Sequence, residues 1–294
     1  MSKRICMFND CASVGFELAK GLRSLGFDVF HYRRSRGLLD KTIKLAWNVA
    51  RSRGDLYYVH YALQDAYLVS KLKRLDVLHV HGSDVRWELK ESLWRWMIRN
   101  NLKVARHVIC ATPDIPEMLP DYVKSYSYLP NPIDTEIFKP YSRHENFDGR
   151  DTVVFLYPFR YDPKRKGTHL FMREFERVKK PNWKITFVSG IPYSKMPEVY
   201  NSVDVVVGDF ATGVLGKVAL EGMSCGRPVV TRIDERYYKE NPPPTVPLTR
   251  LADMDSPEIR SWYGKAGREY VIRHHRHVDV ASRLVNELKT LELL

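Results

Sequence analysis

Short apolar runs alternate with segments whose apolar residues recur every three or four positions, and the alternation occurs twice along the chain. In the first pass RICMF reads as a buried strand, NDCASV as a polar loop, and GFELAKGLRSLG as a helix that stops at Gly26. FDVFHY is the next strand, followed by a basic helix near Leu39–Ser52, strand DLYYVH and helix Leu63–Leu72. Strand DVLHVHG, a Trp-rich helix, strand HVICAT and strand SYSYLP complete this pass. Phe138 to Asp151, FKPYSRHENFDGRD, is polar and without period, and reads as a linker. The pattern then restarts: strand TVVFLYPF, helix THLFMREFERVKK, strand WKITFVSG, short helix MPEVYNS, strand VDVVVGD, helix Lys217–Ser224 and strand PVVTRI. ENPPPTVP is neither helix nor inner strand, because consecutive prolines lack backbone donors. A helical tail, Pro257 to Leu294, ends the sequence.

Strands separated by helices build parallel βαβ units in which both faces of the sheet are covered. The expected fold class is therefore α/β, with two Rossmann-like, doubly wound parallel-sheet domains facing across a cleft. Ligands in such sheets sit at the C-terminal ends of the strands. The predicted boundaries are residues 1–140, a linker at 141–150, a second domain at 151–275 and a last helix at 276–294. A length of 294 residues suits two domains of ordinary size.

No apolar run approaches the roughly 20 residues that span a bilayer, and the apolar stretch in MSKRICMFND is too short for a signal peptide. A cytoplasmic protein is expected, with the membrane surface as an alternative position. Cys6, Cys11, Cys110 and Cys225 lie far apart without metal-ligand spacing and read as reduced thiols.

The net charge of +12 calls for an anionic partner: nucleic acid, an anionic membrane or a phosphorylated small molecule. The charge is uneven. Between Arg33 and Arg53 seven basic residues face Asp40 alone. Leu89 to Arg106 carries Trp94 and Trp96 among Arg95, Arg99, Lys103 and Arg106. Core packing with solvated charge is the plainer reading of that helix, and peripheral contact with an anionic membrane the alternative.

Three stretches carry candidate chemistry. In the first, GVLGKVALEGMSCGRPVV, Gly213 and Gly216 allow backbone conformations closed to other residues. A helix starting near Lys217 presents free N–H groups and a partial positive charge, an arrangement that binds phosphate. Glu221, one turn in, can accept hydrogen bonds from a pair of sugar hydroxyls, or simply offset the helix dipole. In the second, FRYDPKRKGTHL, Arg160 leaves a strand end and Lys166 precedes Gly167 at a helix start. Two cations at that place suit a diphosphate, although a solvated basic loop has the same composition. In the third, HVHGSDVR, Gly82 beside His81 lets a substrate approach, Asp84 can orient or charge the imidazole, and Arg86 can neutralise a phosphate. A lone histidine at a strand end is usually structural; a His, Gly, Asp and Arg cluster is less so.

The sequence PNPIDTEIFKP, the pair Arg160 and Lys166-Gly167, YNSVDVVVGD and GVLGKVALEGMSCGRPVV together resemble the C-terminal half of a family 4 glycosyltransferase of GT-B fold. HVHGSDVR is similar to the His-Gly-x-Asp stretch of that family's N-terminal half. The resemblance implies an enzyme, of hexosyltransferase type, that moves a sugar from a nucleotide diphosphate donor to an acceptor hydroxyl, with retention and without metal or other cofactor. The donor is expected to be UDP- or GDP-linked, and the acceptor a glycan or a lipid-linked molecule. By this resemblance Arg160 and Lys166 hold the diphosphate, backbone N–H groups of Gly213, Val214, Leu215 and Gly216 cap it, and Glu221 holds the ribose hydroxyls. His81, with Asp84, faces the transferred sugar, and the last helix crosses back to the first half.

Two departures stand out. The family has two glutamates eight positions apart, and counting back from Glu221 gives Gly213; Asp209 and Thr212 are the nearest substitutes. The opening loop NDCASVGF has one glycine where relatives are often glycine-rich. The missing glutamate favours a rival reading, a non-catalytic relative that binds a nucleotide or a glycan. A nucleic-acid-binding protein ranks lower, since no nucleic-acid motif accompanies the charge, and no nucleic-acid partner is expected. A dinucleotide dehydrogenase lacks its Gly-x-Gly-x-x-Gly. Asp253 to Asp255 (DMD) and His274, His275 and His277 look like metal motifs but have the wrong context and the wrong helical spacing.

Overall fold

A computed structural model describes residues 3–35, 37–91, 93–141, 152–159 and 161–294. Most of the linker expected at 141–150 therefore lies outside the described residues. The chain divides into two compact units, Met1–Pro132 with His277–Leu294, and Ile133–Arg276.

The first unit is built on a six-stranded, fully parallel sheet in the order β2-β1-β3-β4-β5-β6. Its strands are β1 (Arg4–Phe8), β2 (Asp28–Tyr32), β3 (Leu56–His60), β4 (Val77–Val80), β5 (His107–Cys110) and β6 (Tyr126–Tyr128). Successive strand residues point to opposite faces, which explains the runs of apolar residues. Ile5 and Met7 join one cluster, with Leu18 and Leu22 of α1 (Val14–Ser24) and with Val280, Leu284 and Leu288 of the C-terminal helix His277–Thr290. Cys6 and Phe8 join the other. There they meet α3 (Ile43–Arg51), α4 (Gln64–Leu72) and α5 (Arg95–Val104), through Val49, Val69 and Leu102. Gly21 is where α1 and the C-terminal helix approach: a Cβ there would lie 2.5 Å from the His277 carbonyl. The basic helix expected over Leu39–Ser52 is broken at Thr42, whose φ of −121° and ψ of −90° separate α2 (Leu38–Lys41) from α3.

The second unit has a four-stranded parallel sheet in the order β10-β9-β7-β8. The strands are β7 (Val153–Tyr157), β8 (Trp183–Phe187), β9 (Val205–Val207) and β10 (Val229–Val230). The helices are α6 (Pro163–Lys166), α7 (Thr168–Val178), α8 (Met196–Asn201), α9 (Lys217–Ser224) and α10 (Pro257–His275). The unit begins at Ile133, earlier than the polar linker suggested. Ile133 and Phe138 are fully buried in its core, Ile133 N donates to His275 O at 2.7 Å, and Arg268 donates to Phe138 O at 3.1 Å. The helical tail is two helices: the chain leaves helical geometry at Arg276 (φ −58°, ψ 126°) before α11, the His277–Thr290 helix.

Candidate functional site

In the second unit one carboxylate organises the loop after β9. Asp209 Oδ1 accepts from Ala211 N at 2.8 Å, Thr212 N at 3.0 Å and Thr212 Oγ1 at 3.2 Å. Its Oδ2 lies 3.0 Å from Lys166 Nζ. Lys166 ends α6, a helix capped by the Asp162 side chain accepting from Arg165 N. Its carbonyl accepts from Phe210 N at 3.0 Å, and its ammonium sits 4.7 Å from the centre of the Phe159 ring. The next residue, Gly167, takes φ +64° in close approach to Phe210, so the loops after β7 and β9 interlock. Arg160, the other cation expected here, lies outside the described residues.

Gly213 follows, with φ +73°, a left-handed conformation that glycine adopts without strain. Its carbonyl accepts from Asp234 N at 2.8 Å, and a Cβ at this position would stand 3.0 Å from Asp234 Cβ. Val214 and Leu215 are buried. Leu215 N donates to Tyr238 Oη at 2.8 Å, so this amide, one of those expected to cap a phosphate, is already engaged. Gly216 stands at the start of α9 with no side-chain cap, and its Cα faces open space. Glu221 is buried one turn further on. Tyr200 Oη donates to its Oε2 at 2.8 Å, and Lys217 Nζ lies 3.8 Å from its Oε1. Burial and the neighbouring carboxylate push the Tyr200 phenol well above its ordinary value. Asp234, Tyr238 and Tyr200 were not singled out from the sequence. They come from later or earlier segments, and only the Lys217–Glu221 spacing of four carries a local signal.

The first unit holds the other expected pair. Asp84 is fully buried. Its carboxylate accepts from His81 N at 3.0 Å and Ala62 N at 3.2 Å, tying the strand ends after β3 and β4 together. Asp84 therefore holds the backbone of His81 and not its ring, which corrects the expectation that it orients or charges the imidazole. Burial pushes the Asp84 carboxyl up to about 6. The ring partner of His81 is His60, with His81 Nε2 and His60 Nδ1 3.0 Å apart. Tyr58 Oη and His79 Nδ1 are 2.9 Å apart on the same face. Burial lowers His81 to about 3 and lowers His60 and His79 well below their ordinary value, so all three rings are neutral. Gly82 takes φ +93° and is covered by the Arg86 guanidinium. That guanidinium is engaged by Asp114 at 2.6 and 2.8 Å and by Thr112 at 2.7 Å. Arg86 is thus a structural cation, committed to a buried carboxylate 28 residues away, a pairing invisible in the local sequence. Asp253 pairs with Arg250 and Asp255 accepts from the Trp183 indole, so the DMD stretch is structural too.

No family model and no curated protein matches this sequence. Solved structures do match it in fold. A sucrose-phosphate synthase from Thermosynechococcus elongatus superposes with a TM-score of 0.72 at 16% identity, covering 98% of this chain and 99% of that one. Anabaena HepE, in complex with UDP and glucose, gives 0.69 at 14% identity over 98% and 99%. An alpha-glucosyltransferase in complex with UDP-glucose and DNA containing an abasic site gives 0.69 at 12% identity over 98% and 100%. The chain has the GT-B fold. Within this GT-B chain the Lys166–Asp209 pair lies in the segments that follow the C-terminal ends of β7 and β9. The histidines lie at the C-terminal ends of β3 and β4. These are the strand ends at which doubly wound sheets take their ligands. No described helix is long and apolar enough to cross a membrane.

Proposed function

We propose that this protein is a glycosyltransferase that moves a sugar from a nucleoside diphosphate sugar to an acceptor hydroxyl. The observation that carries this reading is the loop framed by Asp209, which holds the Lys166 ammonium at the strand ends from which the uncapped start of α9 also follows. A leaving diphosphate is the charge that such a transfer must stabilise. Lys166 and the helix start at Gly216 supply positive potential there, and the resemblance assigns Arg160 to the same diphosphate. Lys166 must then exchange Asp209 for phosphate oxygens when the donor binds. Glu221 serves the ribose hydroxyls, and its bond from Tyr200 sets its orientation. His81, neutral by burial, acts toward the transferred sugar as a hydrogen-bonding group and not as a cation.

The rest of the reading follows the resemblance: transfer of a hexose with retention, no metal at the diphosphate, a UDP- or GDP-linked donor, and a glycan or lipid-linked acceptor. UDP in two of the similar structures supports a uridine donor. Exposed Trp47, Trp94 and Trp96, set in basic segments, support contact with an anionic membrane in a cytoplasmic protein. A second reading, a nucleotide-binding relative without activity, is favoured by Gly213. Its left-handed backbone, closed against Asp234, has no place for the acid that relatives carry.

The test is a thermal-shift screen against uridine, guanosine and adenosine diphosphates and their sugar conjugates, followed by assays of transfer and of donor hydrolysis. A ligand that binds only the folded state at a hundredfold excess over Kd stabilises it by about 2.7 kcal/mol. Stabilisation together with turnover supports the transferase, and stabilisation without turnover supports the second reading. No shift with any nucleotide refutes both.

A further inference from the structure

The imidazoles at the ends of β3 and β4 form a cluster whose hydrogen bonds leave nitrogens unused. His79 and His81 are two apart and so lie on one face, and the register of His60 against His79 puts the third ring on that face of the neighbouring strand. One nitrogen from each ring lies within 4.8 Å of the other two. Ring centres are 4.4 Å apart for His79 and His81, 5.0 Å for His60 and His79, and 5.2 Å for His60 and His81. Tyr58 occupies Nδ1 of His79, leaving its Nε2 buried and without a partner among the described residues. Buried polar atoms of this kind are few in folded proteins, and each calls for an explanation.

We propose that His60, His79 and His81 form a three-imidazole site for one divalent transition ion, with zinc as the first candidate. The donor set selects the ion class. Imidazoles suit zinc, copper, nickel and iron, whereas magnesium and calcium require oxygen ligands. Three histidines with a fourth position left to water is an established coordination for zinc. His81 is the half-buried member and marks the side from which an ion enters.

The adjustment is small for one pair of rings, and the His79 nitrogen, within 4.8 Å of the other two, closes toward them. His60 Nδ1 and His81 Nε2 stand 3.0 Å apart, whereas two nitrogens on a tetrahedral zinc with bonds of 2.0–2.1 Å stand about 3.3 Å apart. The pair opens by a few tenths of an ångström, and the proton it shared moves to the outer nitrogen of the ring that held it. An ion on His79 Nε2 places that ring's proton on Nδ1, which donates it to Tyr58 Oη. Outer bonds of this kind orient metal-bound histidines. The ion would join the ends of β3 and β4, and its binding does not depend on the transfer reaction proposed above.

The experiment titrates the full-length, metal-stripped protein with cobalt(II) and then zinc(II), followed by visible absorption and calorimetry. The expected result is one ion per chain, the intense visible bands of four-coordinate cobalt, their loss on adding zinc, and no thiolate-to-cobalt band. His81→Asn should weaken binding at least tenfold while the metal-free Tm stays within a few degrees of wild type. His274→Ala, at a half-buried position of α10, should leave binding unchanged. Because buried-histidine variants such as His79→Gln can misfold, the wild type supplies a second readout. The side-chain nitrogen resonances of His60, His79 and His81 should move on adding zinc, while those of His169 and His274 stay in place. Absence of stoichiometric binding overturns the proposal, as does a thiolate band, or binding that survives His81→Asn and is lost in His274→Ala.

Discussion

Lys166→Ala separates a phosphate-binding cation from a structural one. The side chain is 36% exposed, and its partner Asp209 is 8% exposed. Ion pairs open to solvent contribute about 0–1 kcal/mol, so the lost pair should remove no more than about 1 kcal/mol. For a protein of this size that is a Tm decrease of about 2 °C. The loop keeps its frame, because Asp209 Oδ1 still accepts from Ala211 N, Thr212 N and Thr212 Oγ1. The effect on ligand is larger. A charge-assisted hydrogen bond to a phosphate oxygen contributes about 1.5–3 kcal/mol, which is about a 10- to 150-fold change in Kd at 1.4 kcal/mol per decade. The assay is calorimetric titration with whichever nucleoside diphosphate gives the largest thermal shift, beside the matching nucleoside. Affinity for the diphosphate should fall and affinity for the nucleoside should not. A folded variant whose diphosphate Kd stays within about twofold of wild type refutes the assignment. So does a Tm loss far beyond the few degrees expected for a solvent-open pair.

Three further predictions test the surroundings. Gly213→Ala should destabilise the protein by about 1–2 kcal/mol from the left-handed backbone alone, and by more where its Cβ meets Asp234 Cβ at 3.0 Å; urea denaturation measures this, and an unchanged midpoint counts against the turn geometry. Tyr200→Phe removes the donor to Glu221 Oε2 and should lower stability by about 1.5–3 kcal/mol, with weaker binding of ribose-containing ligands by calorimetry; an unchanged Tm would mean that this buried pair is not formed. Glu287 supplies the pH test. Burial alone would raise its carboxyl, but hydrogen bonds from His107 and Ser127 outweigh burial and hold it below its ordinary value of 4.5. A carboxyl lowered in the folded state contributes stability that is complete above its unfolded value and lost as pH falls through the folded one. Glu287→Gln should therefore be less stable than wild type near pH 7 and approach it below about pH 4; a constant difference across the acid range would exclude the linkage.

Much of the fold was legible in the amino-acid order because its causes are local. Apolar runs in Arg4–Phe8, Leu56–His60 and Val153–Tyr157 are what a strand covered on both faces requires, and the three-to-four spacing between them is what a helix covering those faces requires. The glycine at 213, the helix start at 217 and the Lys166-Gly167 turn were visible for the same reason. Partnership was not visible, because side chains meet across distances that the chain order does not record. That Arg86 belongs to Asp114, that Leu215 N is taken by Tyr238, and that Asp84 holds a backbone while His60 holds the ring of His81 follow only from how the strands are ordered and which loops they bring together. The boundary at Pro132 was decided in the same way: FKP looks like the start of a polar linker, but Phe138 fills the core of the second unit. The sequence alone determined which segments are strands, helices and glycine turns, since periodicity and backbone freedom act over a few residues. The tertiary structure decided which of the charged and polar groups are committed to one another, since burial leaves each of them needing a partner that only the folded chain can bring.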